Sequence, residues 1–305
     1  MFDAFNGTWA LFAAAGALLA VALYVFRWSA LGRKRLTLGA LTLVLGAALA
    51  FLFGKLFYLV MTLTTYLSRH GFPVSSPMEW SFFGAMTGVC LAVYLSARLM
   101  KENGQTALSY FAPSLLLIVA FLRAAEFTMD QVGLGEMVET TALQFFPVCW
   151  PFVLWGTSTW YMAVFAWETA FALLLCAVCL LRQHRGGPSS YGMDKALFYL
   201  CLGQMLFESL RAECIRLGFV RLEQVLCAVV CFALGLMLCL KNPAKGFMRW
   251  LPALLLLAGI GAMVGLEFAL DEPSYIRWVV YALIILTLFL MGLVYYRAGK
   301  KARVQ

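Results

Sequence analysis

Residues 36–59 read LTLGALTLVLGAALAFLFGKLFYL, an apolar run with one charge, Lys55, set directly behind the basic cluster Arg33-Lys34-Arg35. At about 1.5 Å per residue such a run, wound as a helix, is long enough to cross the ~30 Å hydrocarbon core of a bilayer. The same pattern recurs. Stretches near 9–26, 80–97, 107–122, 159–181, 195–210, 222–240, 250–268 and 276–296 bring the expected number of spans to nine. The composition agrees: 63% of the 305 residues are hydrophobic and 12% charged, with a mean hydropathy of +0.87, which leaves too little polar surface for a water-soluble fold. The expected fold class is an all-α polytopic membrane protein of about nine transmembrane helices. The first apolar run lacks a basic segment before it and passes straight into Arg27 and the Arg33–Arg35 cluster. It is expected to stay as the first helix rather than be cleaved as a signal peptide.

The formal net charge is +8, and its distribution predicts orientation. With the N-terminus outside and the nine spans alternating, sixteen of the 23 Lys and Arg fall on the inner side, offset there only by Glu102 and Asp194. The inner face then carries +14 and everything else −6. Every inner connection is net basic, which favours an N-out, C-in arrangement. The basic excess is thus an orientation signal and argues for no nucleic-acid partner. An eight-span reading breaks this agreement.

The outer connection 123–158 is long and apolar, and its segment 144–155 (QFFPVCWPFVLW) holds Pro147, Pro151, Trp150 and Trp155. Two prolines and two tryptophans argue against a straight span and predict an interfacial or re-entrant element at the outer leaflet. A tenth helix there would reverse the C-terminal half and spoil the charge sorting.

Motifs of soluble enzymes are missing: there is no glycine-rich phosphate loop, no GxSxG and no HExxH. No cofactor or metal is expected. The two histidines, His70 and His184, are expected in solvated loops, and the pairs Cys176/Cys179 and Cys227/Cys231 are expected to pack as small hydrophobes. The informative residues are ionisable groups inside apolar runs, each of which costs about 2.5–3.5 kcal/mol near a helix centre unless it finds a partner or a wet cavity. They are Lys55, with Tyr58 one turn on; Arg123, followed by Glu126 and Asp130; Glu168; Glu208 with Arg211; and Glu213 with Arg216. On the N-out arrangement all lie at or near the outer surface. Cations and carboxylates converging at one depth suit a polar cavity for an anionic head group. A structural ion-pair network between helices, or snorkelling at helix ends, explains the same pattern.

These landmarks resemble the prolipoprotein diacylglyceryl transferases, bacterial inner-membrane enzymes that begin lipoprotein maturation. The resemblance covers about 9–240. Gly54-Lys55-Leu56-Phe57-Tyr58 is similar to the family's G-x-R-L-x-Y, with Lys in place of Arg, and Ser81-Phe82-Phe83-Gly84-Ala85-Met86-Thr87-Gly88 to its S-F-H-G-G-L-x-G. Ala112-Pro113 precedes Arg123-Ala124-Ala125-Glu126 at the spacing of A-P and R-x-G-N, Phe165-Ala166-Trp167-Glu168 matches Q-L-Y-E, and Gln204 through Arg211 takes the place of R-x-x-x-E-x-x-R. The resemblance implies a seven-helix transferase-like domain over 1–240, followed by a two-helix extension with a basic cytoplasmic tail over 241–305. It also implies residence in the bacterial plasma membrane and, as partners, a phosphatidylglycerol-like anionic phospholipid and a prolipoprotein signal peptide. Arg123, Lys55, Arg211 and Tyr58 become candidates to hold the lipid head group, and Glu126, Glu168 and Glu208 candidate cavity carboxylates.

Departures from the family pattern fall on its chemistry. The motif histidine is Phe83, the motif asparagine Glu126, the glutamate closing that motif Gln131, and the arginine opening the sixth-helix motif Gln204. Phe83 handles no proton and Gln204 supplies no charge, while Glu126 can act as a base but also neutralises Arg123. No residue is assigned as catalytic. Two functions follow: a diverged transferase acting on a membrane lipid and a lipobox cysteine, with the same or another lipid and acceptor, or a catalytically silent relative that binds an anionic lipid or a lipidated peptide. Either version expects Lys55, Arg123, Glu168 and the Glu208/Arg211 end to share one outward-open cavity. Glu267, Asp271, Glu272 and Arg277, at the last outer hairpin, are expected to face water.

Overall fold

The structure is a computed structural model that describes residues 7–28, 35–68, 81–128, 133–154, 157–212, 216–217, 220–241, 246–271 and 276–301. His70, Asp130, Gln131, Glu213 and Glu272 lie outside the described residues. The chain forms two compact units, Met1–Ala196 and Leu197–Gln305.

The first unit holds five helices: α1 (Gly7–Trp28), α2 (Arg35–Ser68), α3 (Phe82–Leu99), α4 (Gly104–Ala125) and α5 (Val164–Gly186). The second holds most of α6 (Met193–Leu210), then α7 (Leu222–Lys241), α8 (Phe247–Asp271) and α9 (Arg277–Lys301). Eight of these nine helices are long and apolar enough to cross a membrane. The exception is α6, which carries Asp194, Lys195 and Glu208 within 18 residues. The outward faces of α8 and α9 expose Leu254, Leu255, Leu286 and Phe289, as expected where the solvent is hydrocarbon. The chain is a multi-pass α-helical membrane protein.

Helix α2 is 34 residues long, running past its expected end at Leu59 to Ser68, and packs on α3 through the pair Gly84 and Gly88. A Cβ at Gly84 would stand 2.3 Å from the Phe53 carbonyl oxygen, and one at Gly88 would stand 2.2 Å from that of Leu49. Small residues four apart let two backbones approach in lipid, where no hydrophobic force drives helices together. The start of α3 is pinned at the same place. Ser81 caps it by accepting from Gly84 N at 3.3 Å, and Ser81 N donates to Gly54 O at 3.1 Å. At the other end Asn103 caps α4, accepting from Gln105 N and Thr106 N.

Pro113, inside α4, has no N–H to give to the Ser109 carbonyl one turn back. That carbonyl instead accepts from Gln183 Nε2 of α5 at 2.9 Å. Arg27 of α1 donates to Tyr110 O at 2.9 Å and to Gln183 Oε1. Thus the freed backbone groups of a proline-containing span are satisfied by neighbouring helices, as a bilayer requires. Arg27, counted in the inner charge, is a tie between helices as well.

The apolar segment around Pro147 and Pro151, expected at the outer leaflet, is not a membrane-spanning helix. It folds as an antiparallel hairpin, β1 (Cys149–Leu154) with β2 (Thr157–Met162), in which Pro151 stands opposite Trp160. Proline is tolerated there because β1 is an edge strand. The other edge of β2 pairs with residues 135–138, through Gly135 N to Met162 O and Val138 N to Trp160 O, both 2.8 Å. This shortens the expected fifth span at its start, since Thr157–Met162, rich in β-branched and aromatic residues, takes strand geometry and α5 begins only at Val164. His184 lies on the exposed last turn of α5, not in a loop.

Candidate functional site

Helices α4 and α5 are antiparallel neighbours, so the last turn of α4 and the first turn of α5 meet at one end of the first unit. Arg123 comes from the former and Glu168 from the latter. Arg123 Nε is 2.6 Å from Glu168 Oε2. Its Nη1 donates to Glu126 Oε1 at 2.5 Å, from the 3-10 turn Glu126–Thr128 that continues α4. All three residues are buried, Arg123 at 4%, Glu126 at 7% and Glu168 at 2% exposure. The guanidinium also lies 4.3 Å from the centre of the Phe82 ring, at the start of α3. A buried charge of this kind persists only with such partners.

Two carboxylates thus share the one guanidinium. An incoming anion must therefore compete with a glutamate for the guanidinium.

The hairpin covers this end. Gly133 has φ +75, and a Cβ there would stand 2.4 Å from Glu126 Oε2 and 3.0 Å from Phe165 Cβ, so only glycine fits both the backbone and the space. Trp150 packs edge-on against Phe127 (6.0 Å) and Phe165 (5.7 Å), and Trp167 Nε1 donates to Pro147 O at 2.8 Å.

Phe82 has a second role. Together with Trp9, Phe51, Met86, Leu115 and Leu122, it lines an apolar cavity of about 350 Å³ walled by α1, α2, α3 and α4. One ring therefore borders both an apolar cavity and a buried arginine. Lys55 and Tyr58 lie half-buried on α2, and Lys55 follows the Gly54 whose carbonyl holds Ser81, next to Phe82. Phe83, at the position of the motif histidine, is buried and packs edge-on against Phe82 at 6.0 Å.

Glu208 and Arg211 belong to the second unit. Gln204 Nε2 donates to Glu208 Oε1 at 3.0 Å, and Arg211 Nε lies 3.8 Å from the same oxygen. Gln204 thus fills the family's arginine position with a neutral donor to the motif glutamate. Arg221 caps this end by donating to Arg211 O at 3.1 Å and to Glu208 O. Glu267 does not face water: it accepts from Gln224 Nε2 at 2.7 Å and from Ser209 Oγ, and lies 3.6 Å from Arg221 Nε. This corrects the expectation for Glu267 alone; Arg277 is exposed as expected, and the side chains of Asp271 and Glu272 lie outside the described residues. Glu267 ends an apolar stretch near one surface and looks solvated in sequence, and only the approach of α6, α7 and Arg221 supplies its partners. Phe82, Arg221, Gln224 and Glu267 are the residues that sequence reasoning did not count among the site. The clue for the last three was polar groups bordering apolar runs.

Fold and site together define a polytopic α-helical membrane protein with a buried arginine–dicarboxylate centre beside an apolar cavity. A family model described as Prolipoprotein diacylglyceryl transferase matches residues 7–240, and the chain belongs to that family. A curated relative from Clostridium novyi (strain NT), the phosphatidylglycerol–prolipoprotein diacylglyceryl transferase, is 26% identical over 164 residues, which cover 53% of this chain and 62% of that protein. The match therefore spans less than two thirds of the relative's own length. No solved structure matches the chain.

Proposed function

We propose that this protein is a diverged diacylglyceryl transferase of the bacterial plasma membrane, taking an anionic phospholipid such as phosphatidylglycerol and a prolipoprotein cysteine as its substrates. The observation that carries the reading is Phe82, which faces an apolar cavity and Arg123 alike. An acyl chain in the cavity brings its head group toward the guanidinium. Transfer forms a bond from sulfur to the glyceryl carbon and breaks that carbon's bond to the phosphate oxygen, which departs with the electron pair. Arg123 stabilises the departing phosphate and Glu126 takes the thiol proton. As Glu126 protonates it loosens its hold on Arg123, freeing the guanidinium for the phosphate at the moment negative charge develops there. Glu168 stays in place and orients the arginine. Lys55 and Tyr58 add polar groups from α2. Glu208 and Arg211 are held as a head-group and carboxylate pair of the second unit, on the strength of their place in the family's sixth-helix motif. The boundary at 240 is retained as a functional division because the family match ends there, and the N-out, C-in orientation because the inner connections are basic.

The test is expression in bacteria depleted of their own transferase, with prolipoprotein modification read by mobility shift. Restored modification that is lost in Arg123→Lys supports the proposal, because lysine keeps the charge and loses the two-carboxylate fork. No modification from a folded, membrane-inserted protein overturns it. A second reading, a silent relative that binds an anionic lipid or lipidated peptide, is favoured by Phe83 and by the pairing of Arg123 with two carboxylates. Its signature is anionic lipid that co-purifies with the wild type and is lost in Arg123→Lys, without any modification of prolipoprotein.

A further inference from the structure

The second unit contains a cavity of about 380 Å³ that the proposed transfer does not use. Its walls are apolar: Val225, Val229 and Phe232 of α7 face Leu257, Ile260 and Val264 of α8. Its end is polar, formed by Arg221, Gln224 and Glu267. From Glu267 to Leu257 the groove follows α8 for about 15 Å at 1.5 Å per residue, a span suited to a medium-length acyl segment, and its volume is that of a small-ligand site. Both walls are candidate membrane spans, so the groove lies among lipid chains. Helix α8 is beyond the residues that the family model matches.

The polar end selects the head group. Arg221 and Glu267 pair with each other at 3.6 Å, and Arg221 is further held by two backbone carbonyls. The end is therefore close to neutral, and a phosphate placed there would meet the Glu267 carboxylate. A hydroxyl, by contrast, can donate to that carboxylate. We infer that the groove between α7 and α8 binds one acyl chain of an uncharged acylglycerol, with the glycerol hydroxyl at Glu267 and Gln224. The site adjoins the Glu208/Arg211 end through Arg221, and its test requires no turnover.

The full-length protein is reconstituted in phosphatidylcholine vesicles containing a trace of diacylglycerol with a diazirine in its acyl chain. After photolysis, labelled peptides are identified by mass spectrometry. Label concentrated on residues 225–232 and 257–264 is expected, with about tenfold less in Val229→Trp. Leu257→Trp fills the groove from its other wall and is expected to give the same loss. Both side chains are exposed, so neither change should disturb the core; Phe289→Trp, on the exposed face of α9, is the control expected to leave labelling unchanged. Label spread evenly over lipid-facing residues of α8 and α9, or undiminished in both groove variants, overturns the inference. So does equal labelling by a phosphatidylglycerol that carries the same diazirine. None of these outcomes depends on whether prolipoprotein is modified.

Discussion

Arg123 Nε lies 2.6 Å from Glu168 Oε2, and this contact, buried on both sides, ties the end of α4 to the start of α5. Because each partner would be costly to bury alone, the pair is as important to folding as to chemistry. Arg123→Met should lower stability by about 3–5 kcal/mol, because it takes from the buried Glu126 and Glu168 the cation they share. Adding Glu126→Gln and Glu168→Leu to that change should recover much of the loss, while head-group binding stays absent. Thermal unfolding in detergent, alongside lipid co-purification, separates the two effects.

Phe82 contributes a cation–π contact to Arg123 at 4.3 Å. In a desolvated site this is worth about 2 kcal/mol. Phe82→Leu should keep the apolar wall yet weaken retention of anionic lipid, whereas Phe82→Tyr should preserve it. Quantifying bound lipid by mass spectrometry in the three proteins decides the matter.

Gly133 combines φ +75 with a Cβ position 2.4 Å from Glu126 Oε2. Gly133→Ala is expected to displace Glu126 and to cost about 1–3 kcal/mol from backbone strain alone. Gly246 has φ +63 but open space around it, so Gly246→Ala should show the strain without the loss of site function. Activity and unfolding temperature measured on both variants give the comparison.

The α2–α3 contact depends on Gly84 and Gly88. Gly84→Ala and Gly88→Ala each place a methyl against a backbone carbonyl oxygen of α2 and should reduce the yield of folded protein, while Gly46→Ala, with nothing within 4 Å, should not. Size-exclusion profiles in detergent are the readout.

The orientation depends on α6. Although as long as α3, α6 is more polar than the membrane-spanning stretches of the other eight helices, and it must cross for the two termini to lie on opposite sides. Reporter fusions are expected to place the N-terminus outside and the C-terminus in the cytoplasm. Termini found on the same side would mean that α6 does not span.

Much of this architecture is a property of the chain read in one dimension. Hydrophobic runs of span length, such as that around Lys55, declare helices wherever they fall, because a bilayer demands that each span satisfy its own backbone. Ionisable groups within those runs stand out for the same reason, so Arg123, Glu168, Glu208 and Arg211 were legible as candidates. Their pairings were not. Which carboxylate meets which cation depends on how each helix is rotated and how closely its neighbour approaches, and a glycine at 84 or 133 sets that approach without any hydropathy signal. Only the tertiary structure decided that Arg123 holds two glutamates, that Phe82 joins it to an apolar cavity, and that Glu267 turns from water to Gln224 and Arg221. The hairpin over 149–162 was hidden for a related reason: its residues are apolar enough for a helix, and only pairing between strands shows that their backbone is satisfied from the side.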